Sequence, residues 1–400
     1  MLMAFEKFPA SWLWRAAALA LAGVLAGCGG QGDGWHDHPR PPQYQGVTYD
    51  VIALSLGGKG SEAVVHHNGI TADGKVAGTI DARDGSLHAF LYDGKTMIDL
   101  GTMGGAGSEA HAINQRGQVV GRAYGQGWSR AFLYDGAMRD LGNFGGAYAL
   151  AADINESGQV TGYATSADGA RHAFLYRDGQ LKQLATPGGA SVGWVVNGAG
   201  QVAGDFQADA RVQLGFFDET CGCVRPLGTL GGAESLVYGL SDAGHVIGVS
   251  DTAGGQRHAF LYRDGAMKDL GTFGGAGSFA AAINESGLVV GDADTASGTA
   301  HAFLYDGKSL RDLGTFGGAS SRADSINGAG QVVGFARTSR GEPRAFSWTE
   351  ADGMVDLNTR IPDAPRDLVL SGAGAVSDSG DIVAYSNFGL VLLRVRNAAR

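Results

Sequence analysis

The stretch His301-Ala302-Phe303-Leu304-Tyr305-Asp306-Gly307 recurs along most of the chain and decides the fold. Its aromatic residue returns with gaps of 42, 42, 42, 44, 43 and 43 residues. The positions are Phe90, Phe132, Phe174, Phe216, Phe260, Phe303 and Phe346. Repeats of roughly 40–50 residues that are built from short strands are typical of propeller blades. The sequence therefore predicts an all-β chain that folds as a single β-propeller of four-stranded antiparallel blades.

Two kinds of turn punctuate each repeat. An Asn-x-x-Gly turn occurs five times, with Thr, Ser and Ser in place of Asn in three diverged units, and an Asp-Gly turn follows the aromatic strand. The five asparagines are Asn114, Asn155, Asn197, Asn284 and Asn327. Such side chains accept hydrogen bonds from the backbone two residues on, and glycine closes a tight hairpin. Consecutive hairpins favour an antiparallel meander over the alternative, a parallel β-solenoid.

A third motif, the Leu-Gly strand, supports a count of eight units. It occurs at Leu54, Leu100, Leu141, Leu184, Leu227, Leu270, Leu313 and Leu357. Eight blades are predicted, with seven blades plus an irregular cap as the alternative. The chain enters on a Leu-Gly strand at 51–56 and leaves on the preceding strand of the unit at 390–395. We expect the N-terminal strand to pair with the C-terminal one and close a ring that spans residues 49–400.

The N-terminal region has the features of an export signal. Lys7 and Arg15 precede and flank a short apolar segment at 16–25, and small residues and a cysteine follow. Leu25-Ala26-Gly27-Cys28 resembles the lipobox of bacterial lipoproteins, which implies that residues 1–27 are removed and that Cys28 carries lipid. A plain secretory signal is the alternative. Gly29 stands where an inner-membrane retention signal has Asp, so we expect an exported lipoprotein at the outer membrane or cell surface.

Residues 28–48 are rich in glycine, proline and polar residues, which predicts a flexible tether. His36 and His38 lie in this tether, where they lack an organised set of further metal ligands. The whole chain has a net charge of −10 and only 18% charged residues, without a basic stripe. Nucleic acid is therefore excluded as a partner. The Gly-Gly pairs are not followed by Lys-Ser/Thr, so they predict inter-blade turns rather than a phosphate loop.

The repeat as a whole resembles the bacterial extracellular HAF repeat family. The resemblance rests on His-Ala-Phe-Leu-Tyr-Asp-Gly, Asp-Leu-Gly-Thr-x-Gly-Gly and Ile-Asn-x-x-Gly-Gln-Val-Val-Gly, and it covers nearly all of 51–395. The motif departs from the family pattern at Arg130, Gly215 and Arg344. The resemblance implies an exported repeat protein, but no shared activity, cofactor or catalytic residue.

Histidine and cysteine offer two further hypotheses. The repeated histidines are His88, His172, His258 and His301. Equivalent residues of neighbouring blades lie too far apart to share one ion, so we expect a structural hydrogen bond within each blade rather than a metal site. Cys221 and Cys223 are candidates for a strained disulfide in the most diverged unit, with free thiols or a metal as alternatives.

Four large aromatic residues stand where other units have small or polar ones: Trp128, Trp194, Phe206 and Phe279. They are tentative ligand-binding residues, because exposed aromatics mark recognition surfaces, with local packing as the alternative. No nucleophile beside a base is evident. The sequence favours a lipid-anchored, non-catalytic binding or scaffold module for envelope protein or glycan. The alternatives are a glycan hydrolase or lyase with its site at the central channel, and a structural surface protein without a ligand.

Overall fold

The computed structural model describes residues 46–58, 63–186, 189–208, 211–218 and 223–396, with the backbone alone at 208, 211–218 and 223. The predicted signal peptide, most of the tether and the candidate lipidation site Cys28 lie outside these residues. Residues 48–400 form one compact unit, separate from residues 1–47. Among the described residues, no helix combines the length and apolar character that crossing a membrane requires.

The described chain forms 32 strands and one short 3-10 helix. The first strand is β1 (Tyr49–Ala53), which belongs to the last blade. Every blade runs from an inner strand through a second and a third strand to an outer strand. Blades 1 to 4 are built as follows: blade 1 from β2 (Ala63–Val64), β3 (Val76–Asp81), β4 (Leu87–Tyr92) and β5 (Met97–Asp99); blade 2 from β6 (Gly107–Ile113), β7 (Val119–Gly125), β8 (Trp128–Tyr134) and β9 (Met138–Asp140); blade 3 from β10 (Gly145–Ile154), β11 (Val160–Ser166), β12 (Arg171–Arg177) and β13 (Gln180–Gln183); blade 4 from β14 (Ser191–Val196), β15 (Val202–Ala208), β16 (Arg211–Asp218) and β17 (Cys223–Pro226).

The second half of the chain repeats this order. Blades 5 to 8 are built as follows: blade 5 from β18 (Gly231–Leu240), β19 (Val246–Thr252), β20 (Arg257–Arg263) and β21 (Ala266–Asp269); blade 6 from β22 (Gly274–Ile283), β23 (Val289–Thr295), β24 (Ala300–Tyr305) and β25 (Leu310–Asp312); blade 7 from β26 (Gly317–Ile326), β27 (Val332–Thr338), β28 (Pro343–Thr349) and β29 (Gly353–Asp356), followed by the 3-10 helix η1 (Leu357–Arg360); blade 8 from β30 (Leu370–Val376), β31 (Ile382–Ser386), β32 (Gly389–Val395) and β1.

The strand pairing confirms the predicted β-propeller. The described residues form eight four-stranded units, and blades 2 and 3 are joined by a single parallel bridge between Ser129 and Tyr148. The predicted closure of the ring is also present, since β1 is the outer strand of blade 8 and pairs antiparallel with β32 from Tyr49 opposite Val395 to Ala53 opposite Val391. This pairing covers the edge that blade 8 would otherwise expose.

The repeated aromatic residue fills the space between blades. Six of these phenylalanines have no exposed surface: Phe90, Phe132, Phe174, Phe260, Phe303 and Phe346. In one interface, Phe346 of blade 7 packs with Val290, Ala302 and Leu304 of blade 6. Both faces of a blade are therefore buried, as the apolar strands predict. The Gly-Gly pairs differ from expectation in four blades, because they begin the inner strand instead of lying in a turn before it, at Gly145, Gly231, Gly274 and Gly317.

A belt of asparagine side chains joins neighbouring blades on the face where the Asn-x-x-Gly turns lie. Asn155 donates from Nδ2 to the Asn197 carbonyl at 2.8 Å, and Asn197 donates in turn to the Ser241 carbonyl at 3.1 Å. Asn114, Asn284 and Asn327 make the equivalent bond to their next blade. Each of the five asparagines also accepts a backbone N–H four residues on, whereas the predicted bond two residues on occurs at Asn155 and Asn284.

Blade 4 departs from the repeat at the aromatic position. In six other blades the glycine of the second strand lies opposite the repeated phenylalanine, as Gly121 does opposite Phe132, but in blade 4 Gly204 lies opposite Gly215. The prediction that Phe216 is the aromatic anchor of this unit is therefore wrong by one residue. The HAF pattern departs at Gly215 because the aromatic is lost there, while Gln213 stands at the histidine position.

Phe206 of the same blade is buried, with 2% of its surface exposed. It lies opposite Gln213, two residues along the strand from Gly204 and on the same face of the blade as Gly215. The aromatic volume that Gly215 lacks is thus supplied from the neighbouring strand. The interpretation of Phe206 as an exposed ligand-binding residue is wrong, and local packing, the alternative, accounts for it.

Candidate binding site on the channel wall

The inner strands surround the central channel and differ from blade to blade at their partly exposed positions. In β18, β22 and β26, buried and partly exposed residues alternate along the strand. Since every inner strand has a blade on either side, its open side is the channel. Among the described residues, the partly exposed aromatic and ionisable side chains of the inner strands are Glu109, His111, Trp194, Glu234, Tyr238, Phe279, Arg322 and Asp324.

The second strands add residues to the same wall. Directly opposite residues of an antiparallel pair project to the same face. Arg122 lies opposite Glu109, Asp205 opposite Val192, and Asp292 opposite Phe279. Each follows the glycine of a Val-x-Gly triplet, where other blades carry Thr79, Tyr163, Val249 and Phe335. This position varies while its neighbours repeat, so comparing the units column by column would have revealed it from the sequence.

In blade 2 the wall carries a bidentate ion pair. Arg122 donates from Nε and from its second terminal nitrogen to the two oxygens of Glu109, at 2.9 and 3.0 Å. Burial by itself would raise the pKa of Glu109, but hydrogen bonds from His111 and Arg122 lower that pKa to about 2. Beside this pair, the rings of His66 and His111 meet edge to face with centroids 5.6 Å apart. Burial lowers the pKa of His66 to about 3, so its imidazole is neutral near pH 7.

Blades 4 to 6 each contribute one aromatic residue of the inner strand to an aromatic arc, which we define as Trp194, Tyr238 and Phe279. Trp194 donates from Nε1 to Asp205 at 2.5 Å, and the backbone N–H of Val237 in blade 5 points to the other oxygen of Asp205 at 3.4 Å. The rings of Tyr238 and Phe279 lie 4.6 Å apart between centroids. Burial raises the pKa of Asp205 to about 7, because the two N–H groups compensate only part of the lost hydration.

The arc continues into a second charged group on blades 6 and 7. The Arg322 guanidinium lies 5.7 Å from the centroid of the Phe279 ring, and its Nε lies 2.8 Å from Asp324. The Nε of Arg322 is also 3.9 Å from an oxygen of Asp292. Burial raises the pKa of Asp292 to about 6 and also raises that of Asp324, although Arg322 opposes both shifts. The aromatic rings of the wall are therefore flanked by two carboxyl groups, Asp205 and Asp292, whose pKa values burial raises to about 7 and about 6.

The end of the channel that lies at the Asn-x-x-Gly turns is crossed by a contact between non-adjacent blades. After the short β2, Asn68 of blade 1 donates to Asp153 of blade 3 at 3.0 Å, and its carbonyl accepts from Ile113 of blade 2 at 3.4 Å. Asp153 also accepts from the backbone of Val196 in blade 4 at 2.9 Å. These bonds link blades 1 to 4 at this end, and they leave the opposite mouth, beside the loops between second and third strands, unobstructed.

Two of the four aromatic residues singled out in the sequence, Trp194 and Phe279, are thus brought to one wall. Trp128 is not part of it. It begins the third strand of blade 2, its indole covers Gly105 and Gly125, and the Arg130 guanidinium lies 5.1 Å from its ring centroid. The sequence offered no signal that Tyr238 would join Trp194 to Phe279, because these residues belong to three different repeats.

The repeated histidines make hydrogen bonds within their blades, as predicted. His88, His258 and His301 each place Nδ1 within 2.8 to 2.9 Å of an aspartate eleven residues on, in the outer strand of the same blade. Arg130 replaces the histidine in blade 2 and lies 3.4 Å from Asp140. His172 instead contacts Ser166 at 3.1 Å. Within the described part of the chain, no three His, Cys, Asp or Glu side chains are grouped to hold a metal ion. Cys221 and the Cys223 side chain lie outside the described residues.

Comparison with known proteins bears on the fold alone. No family model and no curated protein matches the chain. A puromycin-hydrolyzing peptidase of Mycobacterium tuberculosis is similar over 80% of this chain, at 15% identity and a TM-score of 0.50, and the chain spans 57% of that peptidase. The β-propeller domain of the Trilobed protease from Pyrococcus furiosus matches 76% of this chain and 99% of its own length, at 11% identity and a TM-score of 0.48.

An oligogalacturonate lyase in complex with manganese matches 88% of this chain and 97% of its own length, at 13% identity and a TM-score of 0.47. At sequence identities this low, the activity or ligand of these proteins cannot be inferred for this chain. The protein is a β-propeller scaffold, and the residues of its own channel wall are the features that indicate a function.

Proposed function

We propose that this protein is an exported, lipid-anchored binding module that holds an envelope ligand at the channel wall without chemically changing it. The observation that carries the proposal is the aromatic arc. Trp194, Tyr238 and Phe279 come from the inner strands of three successive blades and are partly exposed, and the rings of Tyr238 and Phe279 contact each other. Concave sites lined by aromatic residues and a few fixed polar groups are typical of ligand binding.

The anchor at Cys28 rests on the sequence resemblance to the lipobox. The point at which the chain joins the ring is compatible with it. The carbonyl of Thr48 accepts a hydrogen bond from Arg396 just beyond the end of β32, on the face that carries the Asn-x-x-Gly turns. A tether attached on this face would leave the opposite mouth, on the other face, free for a ligand.

A glycan hydrolase or lyase is the second candidate, and one observation favours it. A general acid works best with a pKa near the operating pH, and burial raises the pKa of Asp205 to about 7 and that of Asp292 to about 6. Asp205, however, already accepts hydrogen bonds from Trp194 and Val237, which fix it as a structural acceptor. Binding without catalysis therefore fits this group better.

The test is a pull-down with the full chain in detergent against purified cell-wall and surface glycans and against separated envelope proteins. Trp194→Ala removes the blade 4 end of the arc, while Trp128→Ala is the matched control, since it removes the same side chain outside the channel. We expect capture of a ligand that Trp194→Ala loses and Trp128→Ala retains.

Equal capture by both variants would refute the channel as the site. Each captured glycan is then incubated with the protein and separated by size. Shortened or unsaturated products that disappear in Asp205→Asn would replace the binding function with the enzymatic candidate.

A further inference from the structure

We propose that the channel site, whose existence rests on the function proposed above, is selective for a neutral oligosaccharide. Its sugar rings would stack on Trp194, Tyr238 and Phe279, and its hydroxyl groups would donate hydrogen bonds to Asp205 and Asp292. Three features of the wall indicate this class of ligand. They are its aromatic rings, the carboxyl groups that can accept further hydrogen bonds, and the guanidinium groups that are already ion-paired.

The aromatic arc provides an apolar surface that is already held in place. The Trp194 ring is fixed by its bond to Asp205, and Tyr238 and Phe279 hold each other at 4.6 Å between centroids. A ligand therefore meets rings whose freedom was lost on folding, which lowers the entropic cost of binding. The C–H faces of a pyranose match such rings, while its hydroxyl groups at the ring edge need polar partners.

The carboxyl groups beside the arc can supply those partners. A carboxylate offers about four lone-pair sites. Asp205 takes one N–H on each oxygen, from Trp194 and from Val237, so acceptor capacity remains. Asp292 lies 3.9 Å from Arg322, beyond hydrogen-bond distance, and lies opposite Phe279 on the same face. Both acceptors are thus adjacent to the arc.

The charges of the wall disfavour an anionic ligand. Its two guanidinium groups are already paired, Arg122 with both oxygens of Glu109 and Arg322 with Asp324 at 2.8 Å. Among the described residues, the wall holds five carboxyl groups, on Glu109, Asp205, Glu234, Asp292 and Asp324. Glu234 is paired with Arg257 of the third strand at 3.2 Å. An acidic or sulfated saccharide would have to break an ion pair and approach like charges, which costs binding energy.

A cationic peptide is the other class that an acidic wall could attract. The carboxyl groups nearest the arc fit it poorly, because burial raises the pKa of Asp205 to about 7 and that of Asp292 to about 6. At pH 7 Asp205 is therefore about half protonated, while Asp292 is mostly ionised but lies close to Arg322. The half-charged Asp205 favours a hydroxyl over an ammonium. The rigid aromatic surface favours a ring over a flexible side chain.

Titration calorimetry with the full chain in detergent at pH 7 tests the proposal. The probes are six-unit oligomers matched in length: three neutral ones built from glucose, mannose or N-acetylglucosamine, one built from a uronic acid, one sulfated, and hexalysine. We expect a neutral oligomer to bind, with at least about tenfold weaker affinity in Trp194→Ala and in Asp292→Ala, as for residues central to a binding site. Trp128→Ala should bind like the wild type.

Thermal unfolding of each variant is measured first, and Tyr238→Phe, which keeps its ring, reports on the arc should Trp194→Ala fail to fold. Its affinity should stay within about threefold of wild type, whereas Tyr238→Ala should lose binding. Tighter binding of the uronic, sulfated or lysine oligomer than of every neutral one would overturn the ligand class.

The two proposals fail in distinguishable ways. If no hexamer binds but Trp194-dependent capture occurs in the pull-down, the neutral-oligosaccharide proposal is wrong and the channel-binding function stands. If nothing depends on Trp194 in either experiment, both are wrong.

Discussion

Replacing Asn155 with serine should weaken the ring by removing one bond between blades while leaving its own turn intact. Asn155 is buried, donates to the Asn197 carbonyl of blade 4 at 2.8 Å, and accepts the N–H of Gln159 at 2.9 Å. A serine hydroxyl can accept the same N–H, as Ser377 does from Asp381 at 3.0 Å in blade 8, but it lacks the amide donor that reaches the next blade.

The magnitudes of three variants follow from the bonds that each removes. Asn155→Ser loses the bond to the Asn197 carbonyl and also the bond that Nδ2 donates to Gln159 Oε1 at 2.6 Å, while the Asn197 carbonyl keeps its turn bond from Gly200, so we expect a loss of about 1–3 kcal/mol. Asn155→Ala also leaves the backbone N–H groups of Ser157 and Gln159 without their acceptor, Oδ1, so we expect a loss of about 2–4 kcal/mol. Asn155→Asp turns a carboxylate oxygen toward the Asn197 carbonyl and should be the least stable at pH 7, with partial recovery in acid.

Urea unfolding followed by tryptophan fluorescence measures the three free energies at a common slope. The reverse substitution, Ser241→Asn, provides the matched gain, because it installs the amide at a junction that has serine. A serine variant as stable as the wild type would refute the idea that the asparagine belt joins the blades. A serine variant as unstable as the alanine variant would instead assign the whole effect to the turn.

Phe303→Ala and Phe206→Ala should each lower the free energy of unfolding in urea by roughly 3–5 kcal/mol, because both rings are buried. A Phe206→Ala protein as stable as the wild type would contradict a packing role for Phe206 in blade 4. Stability should fall as pH rises from about 4 to about 7, because the folded-state pKa of Asp205, about 7, exceeds its ordinary value, so that the folded protein holds a proton that the unfolded chain has released. Asp205→Asn should flatten this fall by an amount of the order of a few kcal/mol, and an unchanged pH profile would show that Asp205 does not titrate in this range. Metabolic labelling with palmitate should mark the wild-type protein and not Cys28→Ser, and equal labelling of both would refute lipidation at that residue.

The scaffold could be predicted from the amino-acid sequence, because it is built from short local motifs that repeat. Hairpin turns such as Asn155 to Gly158 are decided within four residues, where a glycine at φ 80° closes the turn and donates to the Asn155 carbonyl. The period, the blade count and the pairing of the first strand with the last all follow from the order of such units. Phe303 could be predicted as core because its strand is apolar on both faces.

The candidate site, and the burial of residues such as Phe206 that break the repeat, depend on the tertiary structure. Trp194, Tyr238 and Phe279 lie on one wall because they occupy related positions in three successive inner strands, and no local pattern indicates which repeat-breaking positions share a wall. The burial of Phe206 cannot be predicted locally, because it depends on the missing ring at Gly215 in the paired strand. Only the register of the two strands places Phe206 on the same face as Gly215. Contacts between repeats about 40 residues apart depend on how the blades pack. The residues of the channel wall are therefore brought together only in the closed ring.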